Sequence, residues 1–225
     1  MEQDKIWDFF QNQQEHSFDG SYSRIKYLVS RIPKCSKVLN IGAGGALFEQ
    51  LAPLKDGVEV YTLDPSEETI QKIKLIVGDE RAKVGYAQKI PFDDASFDVV
   101  VMSEVLEHLD DDVLVESLKE VHRVLKDGGK FIGTVPYREN LDEQIVVCPK
   151  CGEVFHRWGH VQSFDENRLK HYLLKEFQIL TIQPKMFISW KTLNWKGKLT
   201  TILHYCFYWL NLKKSGLNLY FEVSK

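Results

Sequence analysis

The sequence predicts an α/β fold: a doubly wound, mostly parallel sheet of seven strands with an antiparallel edge strand. Three observations carry that expectation. Short β-branched runs alternate with segments of helical period, the first run enters a glycine turn (Gly42-Ala43-Gly44-Gly45), and the second ends in an acid, Asp64. Strands that alternate with helices pair in parallel through right-handed crossovers, so the helices cover both faces of one sheet.

Each element has its own signal. Ile6, Phe9 and Phe10, then Ile25, Leu28 and Val29, recur at helical spacing, and Asp19-Gly20-Ser21 interrupts the run. Val38–Ile41 is the first strand, with Ala46, Leu47 and Leu51 continuing as a helix; Val58–Leu63 is the second, with Glu67–Val77 as its helix. Ala82–Tyr86, Phe97–Met102 and Gly129–Val135 read as further strands. Between the last two, Val113, Leu114, Leu118, Val121, Val124 and Leu125 mark a strongly periodic helix. Phe177–Gln183 and Leu217–Val223 close the sheet as a hairpin with a long insert. The chain thus divides into a helical cap (1–36), a core (37–136), an insert (137–164) and a C-terminal completion of the sheet (165–225).

Composition narrows the class. With 225 residues, 44% hydrophobic and 27% charged, the chain is neither disordered, nor fibrous, nor a disulfide-stapled miniprotein. The net charge of −3 averages two unlike parts: residues 185–225 carry +6 and nine of the 27 aromatics, and residues 1–184 carry −9. No basic segment followed by an apolar core opens the chain, and no stretch reaches the roughly 18–20 apolar residues that cross a bilayer. The expected location is cytoplasmic, with at most a peripheral membrane contact.

A glycine turn between strand and helix lets backbone N–H groups approach a ligand closely, and an acid at the tip of the next strand suits ribose hydroxyls. Dinucleotide and S-adenosylmethionine enzymes share both features. A G-x-G-x-x-G fingerprint starting at Gly42 needs glycine at position 47, which is Leu47, so the dinucleotide reading loses. Val38-Leu39-Asn40-Ile41-Gly42-Ala43-Gly44 resembles the first motif of class I S-adenosylmethionine-dependent methyltransferases, of the type 11/12-like, Rossmann-like kind. The segment Ala87–Asp98, Ser103-Glu104-Val105-Leu106-Glu107-His108-Leu109 and Leu125-Lys126-Asp127-Gly128-Gly129 are similar to its later motifs, in the same order. The resemblance implies that Gly42 and Gly44 line the methionine and ribose, Asp64 accepts the ribose hydroxyls, Ala87 and Gln88 edge the adenine, and Ser103 sits near the sulfonium. It also implies that Asn40 meets the methionine ammonium, without the acid that the family usually has there. Tyr86, where the family often has Asp, either covers the adenine or fills the core.

Methyl transfer from a sulfonium is an in-line displacement that positioning can drive; a hydroxyl acceptor must in addition lose a proton. Glu104, Glu107 and His108 follow the fourth strand as E-x-x-E-H, at the end of the sheet where such folds bind ligands. Two carboxylates and an imidazole suit a divalent cation. This spacing resembles metal-dependent O-methyltransferases of ubiquinone biosynthesis and of RNA 2′-hydroxyls, and Gly159–Phe164 is similar to their later segment, with His160 as the further group. Three readings stay open: a catalytic cation, His108 or His160 acting without metal, and a structural role.

Cys148-Pro149-Lys150-Cys151-Gly152 has the form of a knuckle whose turn aims two thiolates at one structural zinc ion, with His156 as the next ligand in the run C-x2-C-x4-H-x3-H; a pair of unligated thiols in an insertion loop is the alternative. His160 is assigned to the active site instead. Residues 196–214 form an apolar aromatic block bracketed by lysines, which suits a helix packed on the sheet, a homodimer contact or a peripheral membrane contact. The acidic body argues against nucleic acid as a partner. The expected function is S-adenosylmethionine-dependent O-methylation of a small-molecule, sugar, glycan or lipid-linked acceptor. A non-catalytic binding module of the same fold and an RNA methyltransferase are the other readings.

Overall fold

A computed structural model describes residues 4–14, 20–188, 195 and 217–225. The apolar block of residues 196–214 lies outside the described residues. Two helices open the chain, α1 (Asp4–Gln13) and α2 (Tyr22–Arg31). The sheet strands follow as β1 (Lys37–Ile41), β2 (Glu59–Asp64), β3 (Ala82–Val84), β4 (Phe97–Ser103) and β5 (Leu125–Pro136). Between them run α3 (Leu47–Leu51), α4 (Glu67–Val77) and α5 (Asp111–Val124). A small antiparallel hairpin, β6 (Ile145–Val147) and β7 (Val154–His156), precedes α6 (Glu166–Leu173), and β8 (Gln178–Lys185) and β9 (Asn218–Ser224) finish the chain.

The helices start where a side chain caps them. Ser66 Oγ accepts from Thr69 N, Asp110 from Val113 N and Asp165 from Arg168 N, each satisfying a backbone donor of the first turn. Strand residues alternate between two cores. Leu39, Val100, Met102 and Phe131 face Leu114, Leu118 and Val121 of α5, and Val38, Val99, Val101 and Ile132 face Ile25 and Leu28 of α2 and Phe48 of α3.

The seven-stranded sheet has the order β3-β2-β1-β4-β5-β9-β8. β9 is antiparallel to both β5 and β8, so the antiparallel strand sits one place in from the edge, and β8, the edge strand, runs with the others. β5 starts four residues before the expected Gly129, because Leu125 already pairs with Phe97 across a register shift in β4. The order reverses between β1 and β4, opening a crevice at their C-terminal ends. Among the described residues no helix is long and apolar enough to cross a membrane.

Candidate active site

A cavity of about 440 Å³ occupies that crevice. Its floor is the turn after β1, where Gly42 (φ +84°), Gly44 (φ +53°) and Ala46 (φ +58°) take left-handed conformations. A Cβ on Gly42 would lie 2.5 Å from Val105 Cγ2, so the turn and the packing both demand glycine. Asp64, at the tip of β2, is 1% exposed. Its Oδ2 accepts from Ala43 N at 2.8 Å and its Oδ1 from Ser66 N at 2.9 Å. Burial pushes its carboxyl pKa up, and these hydrogen bonds oppose that.

Asn40 lines the cavity and donates from Nδ2 to Glu49 Oε1 at 2.8 Å, with Thr62 Oγ1 donating to the same oxygen. An acid therefore stands directly behind the asparagine, on α3. Glu49 is fully buried and its pKa is raised by that burial. Ala87 and Gln88 form the opposite wall; Tyr86 is 47% exposed at the rim, which removes the core-filling alternative. Ser103 Oγ accepts from Arg24 Nε at 3.0 Å and lies 3.1 Å from Thr134 Oγ1.

The other end of the cavity gathers the acids and imidazoles. Carboxylate and ring atoms of Glu107, His108 and His160 come within 4.8 Å of one another. Among the described residues, both carboxylate oxygens of Glu107 are buried without a partner. Burial, then the nearby Glu104 charge, pushes its pKa well above the usual range. His108 is driven down to about 3 by burial and by the neighbouring His160 and His156, so its ring is neutral. Trp7 Nε1 and the Gly159 carbonyl both reach His108 Nδ1 at 3.2 Å; the nitrogen accepts from the indole or donates to the carbonyl, never both. Glu104 stands apart from this group: φ is +58°, Oε2 accepts from Asn218 Nδ2 at 2.8 Å, and Arg24 Nη1 lies 3.9 Å away.

The thiols and His156 do not meet as the spacing suggests. β6 and β7 pair Ile145 with His156 and Val147 with Val154, so Cys148 and Cys151 occupy the hairpin tip and His156 its far end. An extended ladder separates by length what a compact loop would have brought together. At the tip, backbone N–H groups of Cys151 and Lys150 and the Cys151 thiol lower the Cys148 pKa. His156 instead stacks on His160 with ring centres 4.7 Å apart, beside Glu139.

Sequence reasoning missed Glu139, Glu49, Arg24 and the roof. Trp7, Phe10 and Gln11 of α1 line the cavity, with Phe10 against Trp158 at 4.7 Å and Gln11 Nε2 on Asp64 Oδ2 at 3.3 Å. Their i, i+3, i+4 spacing is the available signal, since it puts all three on one helix face.

Residues 39–133 match the family model described as a methyltransferase domain. The chain is 29% identical over 150 residues to the ubiquinone/menaquinone biosynthesis C-methyltransferase UbiE of Geobacter sp. (strain M21), covering 60% of this chain and 63% of that protein. It is 32% identical over 124 residues to an uncharacterized methyltransferase of Mycobacterium tuberculosis (strain ATCC 25618 / H37Rv), covering 55% and 48%. The chain thus spans less than two thirds of the length of either relative. Among solved structures, one chain of the complex between the Haloferax volcanii Trm112 methyltransferase activator and a methyltransferase superposes with a TM-score of 0.71 at 18% identity, over 99% of this chain and 97% of that one. The Burkholderia thailandensis 1,6-didemethyltoxoflavin-N1-methyltransferase, with bound 1,6-didemethyltoxoflavin and S-adenosylhomocysteine, gives 0.68 at 16% identity, over 99% and 86%. Residues 39–133 are thus similar to a methyltransferase domain, and the chain shares its fold with solved methyltransferases.

Proposed function

We propose that the protein is an S-adenosylmethionine-dependent methyltransferase acting on a hydroxyl oxygen, with a divalent cation held by Glu107, His108 and His160. The methyltransferase domain supports the transfer. The carboxylate of Glu107 carries the choice of chemistry: both oxygens are buried without a donor, within 4.8 Å of two imidazole nitrogens. A buried carboxylate without partners is costly and calls for a proton or a cation, and one carboxylate with two imidazoles is a donor set for a divalent transition metal. The chemistry such an ion supplies is Lewis acidity, which makes an acceptor hydroxyl easier to deprotonate.

The remaining work falls to the chain. Asp64 receives the ribose hydroxyls, the turn at Gly42 and Gly44 lets the backbone approach the methionine moiety, and Asn40 presents its amide oxygen to the ammonium. Ala87 and Gln88 border the adenine, and Ser103, held by Arg24, lies beside the sulfonium. Trp7, Phe10 and Trp158 exclude water above the acceptor. A cavity of about 440 Å³ shared by cofactor and acceptor suits a small molecule, or the end of a sugar, glycan or lipid-linked chain. A carbon acceptor is the second reading, favoured by the C-methyltransferase among the relatives.

Calorimetry with S-adenosylhomocysteine, followed by turnover of labelled methyl groups after chelation and readdition of Mn²⁺ or Mg²⁺, tests the proposal. Cofactor binding, loss of turnover on chelation and recovery with Mn²⁺ are expected, and Glu107→Gln should abolish the recovery. No cofactor binding overturns the enzymatic reading; turnover indifferent to chelation overturns the cation.

A further inference from the structure

Glu139 follows β5 in the chain, whereas His156 ends β7 and His160 lies four residues on, so no sequence spacing relates the acid to the histidines. Backbone contacts bring them together. Tyr137 bridges Phe164, Arg138 N donates to Phe164 O at 2.8 Å, and Arg138 turns the chain with φ +52°, which carries Glu139 towards the histidines. Gly159 N donates to His156 O at 2.9 Å, folding His160 back over His156, and Val161 N donates to Glu107 O at 2.9 Å, tying that loop to the acids.

The hydrogen bonds then decide where each ring proton sits. The backbone N–H of His160 donates to His156 Nδ1 at 3.1 Å, so that nitrogen carries a lone pair. An imidazole whose Nδ1 carries a lone pair has its one proton on Nε2. His156 Nε2 is buried with no hydrogen-bond partner among the described residues and faces Glu139 Oε1 at 3.8 Å. The other oxygen of Glu139, Oε2, lies 2.5 Å from His160 Nδ1 and can accept only if that nitrogen bears the proton. Glu139, His156 and His160 also have donor atoms within 4.8 Å of one another, but His156 Nε2 gains a lone pair for a cation only by giving up the hydrogen bond from His160 N, which favours the trio with Glu107.

We propose that Glu139 and His156 are positioning residues: His156 steadies the Glu139 carboxylate, and Glu139 locks His160 in the Nδ1–H tautomer, so that Nε2 presents its lone pair to Glu107 and His108. The use of that lone pair rests on the cation reading above; the tautomer does not. An outer carboxylate of this kind orients a metal-binding imidazole and raises its basicity, and its loss typically lowers metal affinity 10- to 100-fold.

Two measurements on the full chain separate the claims. Long-range ¹H–¹⁵N NMR of histidine-labelled, metal-free protein reads the tautomers directly: Nε2–H is expected at His156 and Nδ1–H at His160, and Glu139→Gln should turn His160 into a mixture. A His156 carrying its proton on Nδ1, or a His160 signal unmoved in Glu139→Gln, overturns the proposal. Mn²⁺ binding followed by electron paramagnetic resonance gives the second readout, with S-adenosylhomocysteine affinity reporting that each variant is folded. Glu139→Gln and His156→Leu should lose about 10- to 100-fold in Mn²⁺ affinity, whereas His156→Gln, which keeps a donor towards Glu139, should lose less. Wild-type protein that does bind Mn²⁺, but no more tightly than Glu139→Gln does, overturns the positioning role. Wild-type protein with the expected tautomers but no Mn²⁺ binding overturns the cation reading and leaves the lock standing.

Discussion

Gln11 of α1 donates to the same Asp64 oxygen that the Ala43 amide reaches, at 3.3 Å against 2.8 Å. The side-chain amide thus occupies the acid proposed to receive the ribose hydroxyls, and Thr69 Oγ1 holds it there by donating to Gln11 Oε1 at 2.7 Å. The two residues should respond to substitution with opposite signs. Asp64→Ala removes a charged acceptor and should weaken S-adenosylhomocysteine binding by about 100-fold. Gln11→Ala removes a competitor and should speed association several-fold in stopped-flow fluorescence. Slower association in Gln11→Ala would make the amide a cofactor contact instead.

The glycine turn should fail at one atom. Gly42→Ala imposes an L side chain at φ +84° and drives a methyl to within 2.5 Å of Val105 Cγ2. Strain and overpacking together should cost about 2–5 kcal/mol in denaturant unfolding. Adding Val105→Ala should recover the packing part and leave the backbone part.

Stability should depend on acid through Glu222. Burial alone would raise its pKa, but hydrogen bonds from Lys130, Arg31 and Tyr220 outweigh that and hold it at about 2, below the ordinary 4.5. The unfolded chain therefore binds this proton first, so the stabilisation is complete above about pH 5 and drains away as the pH falls towards 2. Glu222→Gln should lower Tm at pH 7 by about 4–8 °C, and the gap from wild type should narrow by pH 3. A gap that stays constant across that range would mean that packing, not charge, explains the loss.

Cys148 should be the reactive thiol of the knuckle, because N–H groups of Cys151 and Lys150 favour its thiolate. Iodoacetamide at neutral pH should modify it several-fold faster than Cys151, as read by peptide mass spectrometry, and added Zn²⁺ should protect both. Protection of neither would show that the two thiolates do not hold zinc.

The sheet was legible because it rests on local period and turn chemistry: Val38–Ile41 into Gly42, and Val58–Leu63 into Asp64, fix strand, turn and acid within a few residues of one another. The outlying groups were not. Trp7 meets His108 across 101 positions and Gln11 meets Asp64 across 53, contacts set by how α1 lies over the crevice rather than by any neighbour in the chain. Glu139 reads as one charge in an Arg-Glu-Asn loop, and only the Tyr137–Phe164 bridge gives it histidines to hold. His156 misleads for the opposite reason. Its distance in sequence from Cys151 is short, but a β ladder stretches those residues apart.

The strand order has a consequence for how the sheet assembles. β9 (Asn218–Ser224) follows β8 in the chain, yet it lies between β5 and β8, and among the described residues β8 has no other partner in the sheet. β8 therefore stays unpaired until β9 inserts between two strands that precede it in the chain. Until then β5 shows a bare edge, with Phe131 and Val135 lacking the cover of Phe221 and Leu219. Refolding should thus pass through a species with an open, aggregation-prone edge, and deletion of residues 218–225 should prevent folding altogether.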